Sequence, residues 1–156
     1  MSIAPRLRWY LDAHGVRYEV QPHPHSSTSA ETARLAHVPV EALAKSVLLE
    51  DERGYVMAIV PASHVIDLRT LCDQLDRNLE LASERELATL FHDCERGAVP
   101  PLGSPYRIPT VYDDAIASLA EIWFEAGDHE DVVHMQGGEF VRLLEGARHG
   151  SFSRPY

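Results

Sequence analysis

Apolar residues recur at helical spacing over residues 5–14 (Pro-Arg-Leu-Arg-Trp-Tyr-Leu-Asp-Ala-His), and Gly15 supplies the stop. The period then falls to two, so Val16–Gln21 reads as a short strand that Pro22 ends. Thr28-Ser29-Ala30-Glu31 is a capping box, a hydroxyl and a carboxylate that satisfy the first free amides of a helix, and it predicts helix through Leu35. Pro39 opens a short helical turn that runs up to Lys45. Val47–Leu49 and Tyr55–Val60 are apolar runs of strand length joined across Asp51-Glu52-Arg53-Gly54, which gives a hairpin. Ile66–Leu75 predicts a helix and Leu79–Ala82 a short strand. Ser83-Glu84-Arg85-Glu86 is a second capping box, for a helix through Leu90 or Phe91.

The stretch Gly97–Pro109 holds four prolines and two glycines and is therefore irregular. Thr110–Tyr112 fits a strand, and Glu121–Ala126 with Val132–Gln136 fits a hairpin around Gly127-Asp128. Glu139–Leu144 is the last predicted helix, and the segment Gly150–Tyr156 reads as loose. Helices and strands mix without strict alternation. The pattern implies an α+β fold, a mixed β-sheet flanked by helices, with residues 1–156 as one domain.

Composition narrows the function. The chain has 156 residues and 45% hydrophobic content, enough for a real core, and its apolar runs are far too short to span a membrane. Residues 1–6 carry no secretory pattern, and two cysteines give no disulfide framework, so a cytoplasmic protein is expected. A net charge of −10 argues against broad binding of phosphate backbones, so any nucleic-acid contact should be local.

Against thirteen arginines there is a single lysine, Lys45, and it lies in the apolar run Ala42–Leu49. Where an ammonium survives that bias, the site needs a compact point charge rather than a planar fork. The bland alternative is a lysine snorkelling out at the start of a strand. The Gly97–Gly103 loop, with adjacent Pro100 and Pro101, is stiff enough to hold a ligand against main-chain groups, or is simply a rigid turn. His23, His25, His92 and Cys94 could bind zinc, but no recognised ligand spacing occurs, and no cofactor or metal is expected. A Cys94 nucleophile with His92 as base is disfavoured, since Asp93 and Glu95 flank the thiol and would raise its pKa.

Taken in order, Lys45 before Val47-Leu48-Leu49, the Gly97-x-x-x-Pro101 loop running into Leu102-Gly103, and the Gly127…His134…Phe140 ending resemble the YbaK/prolyl-tRNA synthetase-associated domain. The resemblance covers about residues 5–145. It implies a mixed sheet with a pocket between the lysine strand and the glycine–proline loop. It also implies an aminoacyl-tRNA deacylase, which hydrolyses the ester joining a wrong amino acid to the terminal ribose, typically of tRNA(Pro). Lys45 matches the family's essential lysine. Gly97 and Pro101, with Ala98, Val99 and Pro100 between them, match the loop that holds the terminal adenosine. His134 matches a histidine of members that act on alanine, which points to a small amino acid.

Ser46 departs from the pattern, because some alanine-editing relatives carry asparagine there. The polar segment His25–Ser29, including Thr28, could line the amino-acid pocket and widen the choice to cysteine, serine, threonine or non-protein amino acids, or could serve only to cap a helix. The implied partners are the 3′ end of a mischarged tRNA and prolyl-tRNA synthetase, with no membrane. Water activation would rest on the substrate's own ribose hydroxyl, with Lys45 acting as a charge. The alternative in a different class is a non-catalytic module that binds a tRNA end, a nucleotide or a protein on the same fold.

Overall fold

The computed structural model describes residues 3–156. The first helix, α1 (Pro5–Ala13), has proline at its first position and Gly15 beyond its end at φ +62°. Strand β1 (Glu19–Pro22) follows, then α2 (Ser29–Leu35), whose cap Thr28 accepts from Glu31 N at 3.1 Å. A 3-10 turn (Val40–Ala42) leads into β2 (Leu43–Asp51), which pairs antiparallel with β3 (Gly54–Pro61) from Ala44 to Asp51. Next come β4 (His64–Ile66), α3 (Leu68–Leu75), β5 (Glu80–Leu81) and α4 (Glu84–Leu90), the last with both halves of its capping box formed. After the proline-rich loop lie β6 (Thr110–Asp113), α5 (Asp114–Ala117), β7 (Glu121–Glu125), β8 (Asp131–Gln136), α6 (Gly137–Leu143), β9 (Arg148–Gly150) and β10 (Ser153–Pro155).

Seven strands run in the order β1-β8-β7-β2-β3-β6-β9, with β5 also on β2, and β10 pairs separately with β4. The sheet is mixed: β2–β7, β3–β6 and β6–β9 are parallel, and the other pairs are antiparallel. Helices cover both faces. Leu7 and Leu11 of α1, Ile116 of α5 and Phe140 of α6 pack with Ala44, Leu48, Met57 and Ile59 on one side. Ala33 of α2 packs with Leu43, and Leu71 of α3 with Leu49, Val56 and Ala58, on the other. Each fully buried leucine or phenylalanine stabilises such a core by about 1.5–3 kcal/mol. Among the described residues no helix is long and apolar enough to cross a membrane.

Four local expectations change. The strand expected over Val16–Gln21 begins at Glu19 and takes in Pro22, which pairs with Asp131 of β8. The turn after Pro39 stops at Ala42, because Leu43 and Ala44 pair with β7 on one side while Ala44 also pairs with β3 on the other. Lys45 is therefore the third residue of a strand. The helix expected from Ile66 starts at Leu68, where Asp67 caps Thr70 N at 3.1 Å, and His64–Ile66 is drawn into β4. Residues 150–156 are not loose: Phe152 is 1% exposed in the core, and the strand after it pairs with β4.

Candidate functional site

Alternation along β2 sends adjacent residues to opposite faces. Ser46 points with Ala44 and Leu48 toward the α1 side, and Lys45 points with Leu43 and Leu49 toward the α2–α3 side. Parallel pairing with β7 ends at Ala44, and β5 joins only at Leu49. Between these points β2 has no strand on that side among the described residues, and the Gly97–Pro101 loop approaches it there. Ser46 Oγ donates to Val99 O at 3.2 Å, which ties the loop to the strand.

Lys45 Nζ donates to Tyr156 OH at 3.1 Å and lies 5.3 Å from that ring's centroid. Among the described residues no carboxylate comes within ion-pair distance of it. A neutral acceptor leaves the positive charge uncompensated and leaves N–H donors free. Tyr156 in turn lines a cleft of about 590 Å³ with Ala30, Val40, Glu41, Ala62 and Ser118. That volume is in the range of small-ligand sites.

The loop is held from beneath. Gly97 has φ +80°, the left-handed region that favours glycine, and a Cβ there would lie 3.3 Å from His129 Nε2. Ala98, Pro100 and Pro101 are buried and Val99 half-buried, so the loop is packed rather than free. His129 Nε2 donates to Arg96 O, and its Nδ1 lies 3.1 Å from Glu125 Oε2, so one proton sits between ring and carboxyl. Thr32 Oγ1 is 3.0 Å from the same carboxylate oxygen and 2.6 Å from Ser26 Oγ. Burial pushes the Glu125 carboxyl above its ordinary range, opposed by His129. Beside it, burial and the neighbouring Asp128 push Asp131 up to about 6.

The remaining expected residues lie further apart. His134, on β8, shares the sheet face of Lys45, but it lies across Trp123 of β7 from Leu43, and Lys45 is two residues further along β2. Its ring stacks on Trp123 (centroids 4.4 Å apart, 14° between planes), and Nε2 lies 2.9 Å from Glu121 Oε1. Thr28 is exposed and caps α2, whose Ala30 lines the cleft. Three of the four side chains weighed for zinc have other partners: His23 Nδ1 meets Pro24 O, His25 meets Glu95, and Cys94 Sγ meets Tyr106 OH. No group of three or more His, Cys, Asp or Glu among the described residues is placed to hold a metal ion. Burial, with Asp93 adding to it, raises the Cys94 thiol to about 12, which makes it a poor nucleophile.

Sequence reasoning missed four contributors. Tyr156 sits in a segment whose Gly, Ser and Pro content masks the strand alternation of Phe152, Arg154 and Tyr156. His129 and Glu125 sit on either side of a hairpin turn and gave no motif. Trp123 was legible only as a strand residue.

Residues 23–143 match the sequence profile of a family described as the aminoacyl-tRNA editing domain. Two proline–tRNA ligases of Xanthomonas oryzae pv. oryzae, from strains MAFF 311018 and KACC10331 / KXO85, are each 27% identical over 122 residues. The match takes in 78% of this chain and 21% of theirs, so the chain spans about a fifth of the length of these curated relatives. Among solved structures, hypothetical protein APE2540 superposes with TM-score 0.84 at 20% identity, covering 96% of this chain and 99% of the other. A candidate trans-editing enzyme for prolyl-tRNA synthetase superposes with TM-score 0.83 at 24% identity, covering 97% and 96%. At these identities the likeness is one of fold.

Proposed function

The chain belongs to the aminoacyl-tRNA editing domain family, and on that premise we propose that it is a deacylase that clears a small wrong amino acid, alanine or one of similar size, from tRNA(Pro). The observation that carries this reading is the state of Lys45. In a chain with 24 acidic residues, its one lysine ammonium meets no carboxylate among the described residues and is bonded to Tyr156, which lines a cleft. Such a charge suits an anionic group of the substrate, the terminal phosphate or the oxyanion that forms as the ester is attacked.

In this reading Lys45 holds charge and moves no proton. The oxygen of water bonds to the carbonyl carbon, the carbon–oxygen bond to the ribose breaks, and the water's proton ends on the ribose oxygen. The ribose's own neighbouring hydroxyl orients that water. The Gly97–Pro101 loop receives the terminal adenosine, and Ser46 fixes its distance from Lys45. Ala30 and Ala62 leave room for a small side chain, while Thr28 positions Ala30 by capping α2. His134, held by Trp123 and Glu121, walls the same sheet face. The partners in this reading are the CCA end of the tRNA and, as the source of the mischarged species, prolyl-tRNA synthetase, in the cytoplasm.

The test is deacylation of tRNA(Pro) charged with alanine, cysteine, serine or threonine. One species should be turned over by the wild type, and Lys45→Ala should slow this by at least about a hundredfold with the melting temperature unchanged. Full turnover by Lys45→Ala would remove the lysine from the mechanism. No turnover of any species by the wild type would favour the binding module on the same fold.

A further inference from the structure

Tyr156 is 83% exposed, so burial does not explain where it sits. It is nevertheless fixed. Strand β10 pairs Ser153 with Ile66, Arg154 with Val65 and Pro155 with His64, and Tyr156 N donates to Ser63 O at 3.1 Å. Just upstream, Phe152 N and Ser153 Oγ both donate to Asp113 Oδ2, at 2.9 and 2.8 Å. Ser153 Oγ also lies 2.8 Å from His64 Nδ1. This anchoring delivers an aromatic residue to the rim of the cleft, with its hydroxyl on the only lysine of the chain.

A lysine side chain has four rotatable bonds, so an ammonium with no partner samples many positions. A carboxylate partner would fix it but neutralise its field. A phenol fixes it and leaves the charge whole. The Tyr156 oxygen occupies one of three N–H donors and leaves two for a substrate anion. The ring, 5.3 Å from Nζ, adds attraction without adding negative charge.

We propose that Tyr156 is the positioning residue for Lys45, holding its ammonium at the cleft for the reaction, a role that rests on the deacylase reading above. Tyr156 touches no reacting atom in this role. It acts by cutting the freedom of the group that does.

The single lysine makes the test specific, since labelling with [ε-13C]lysine yields one side-chain signal. Spectra of wild type, Tyr156→Phe and Tyr156→Leu are recorded alongside kcat and KM on whichever mischarged tRNA the wild type deacylates. The Lys45 signal should move in Tyr156→Phe, which loses the hydroxyl, and move further in Tyr156→Leu, which also loses the ring. In Tyr156→Phe kcat should fall about tenfold, the scale of one hydrogen bond to a charged group, with KM within about twofold. A Lys45 signal identical in all three proteins overturns the contact, whatever the protein hydrolyses. A shifted signal with unchanged kcat overturns the positioning role and leaves the deacylase reading intact. A wild type inactive on every species overturns the deacylase reading, and with it this role.

Discussion

The backbone at Gly97 shows how much one residue can decide. A side chain at φ +80° costs about 1–2 kcal/mol on conformation alone, and here it would also press on His129 at 3.3 Å. Gly97→Ala should therefore lower the urea midpoint by an amount equivalent to about 1–2 kcal/mol and loosen the loop tied to Ser46. Gly138 is the control. It lies in α6 at ordinary φ, and a methyl added there would meet nothing within 4 Å, so Gly138→Ala should be neutral or stabilise by up to about 1 kcal/mol. Equal effects of the two substitutions would remove the strain argument. Lys45 and Ser46 teach the same lesson with opposite faces: adjacent in sequence, one meets Tyr156 and the other the proline loop.

Between elements, one ion pair fastens the β2–β3 turn to the residues after α3. Arg77 Nε donates to Asp51 Oδ2 at 2.7 Å, its Nη2 donates to Asp51 Oδ1, and Nη2 also reaches Gly54 O at 3.2 Å. The guanidinium hydrogen bond pulls the Asp51 carboxyl down to about 2 from an ordinary 3.8. A carboxyl depressed in the folded state adds stability that is fully present above its unfolded pKa and is lost as pH falls through the folded one. Urea midpoints should therefore drop between about pH 4 and pH 2, and Arg77→Met should flatten that limb. An unchanged limb in the variant would assign the acid loss to other carboxyls.

Element by element, the helix caps at Thr28 and Ser83 and the two hairpins were legible because their signals are local. Only Ser83 completes its capping box, and the Glu31 carboxylate accepts from Ser27 N instead. Strands β4, β9 and β10 were not, because each is three residues long and exists only by pairing with a strand distant in sequence.

At the scale of the whole molecule, the net charge of −10 sets how the chain meets nucleic acid. With few cations to release counterions, deacylated tRNA should bind more weakly than about 1 µM at physiological salt, with a shallow salt dependence. Submicromolar binding that persists at that salt would show a cationic surface this composition does not supply. The amino-acid sequence by itself determined the helices with local caps, the hairpins, the mixed α+β class and, through the ordered set Lys45, Gly97–Pro101 and His134, the family. Those features rest on spacing and nearest-neighbour chemistry, which a linear chain displays. Tertiary structure alone decided that Lys45 and Ser46 serve opposite faces of one strand, that Trp123 of β7 stands between His134 and the lysine strand, that His129 and Glu125 brace Gly97, and that Tyr156 returns to Lys45. Each of those depends on which strand lies beside which, and strand pairing is fixed by burial of the whole core rather than by any window of the sequence.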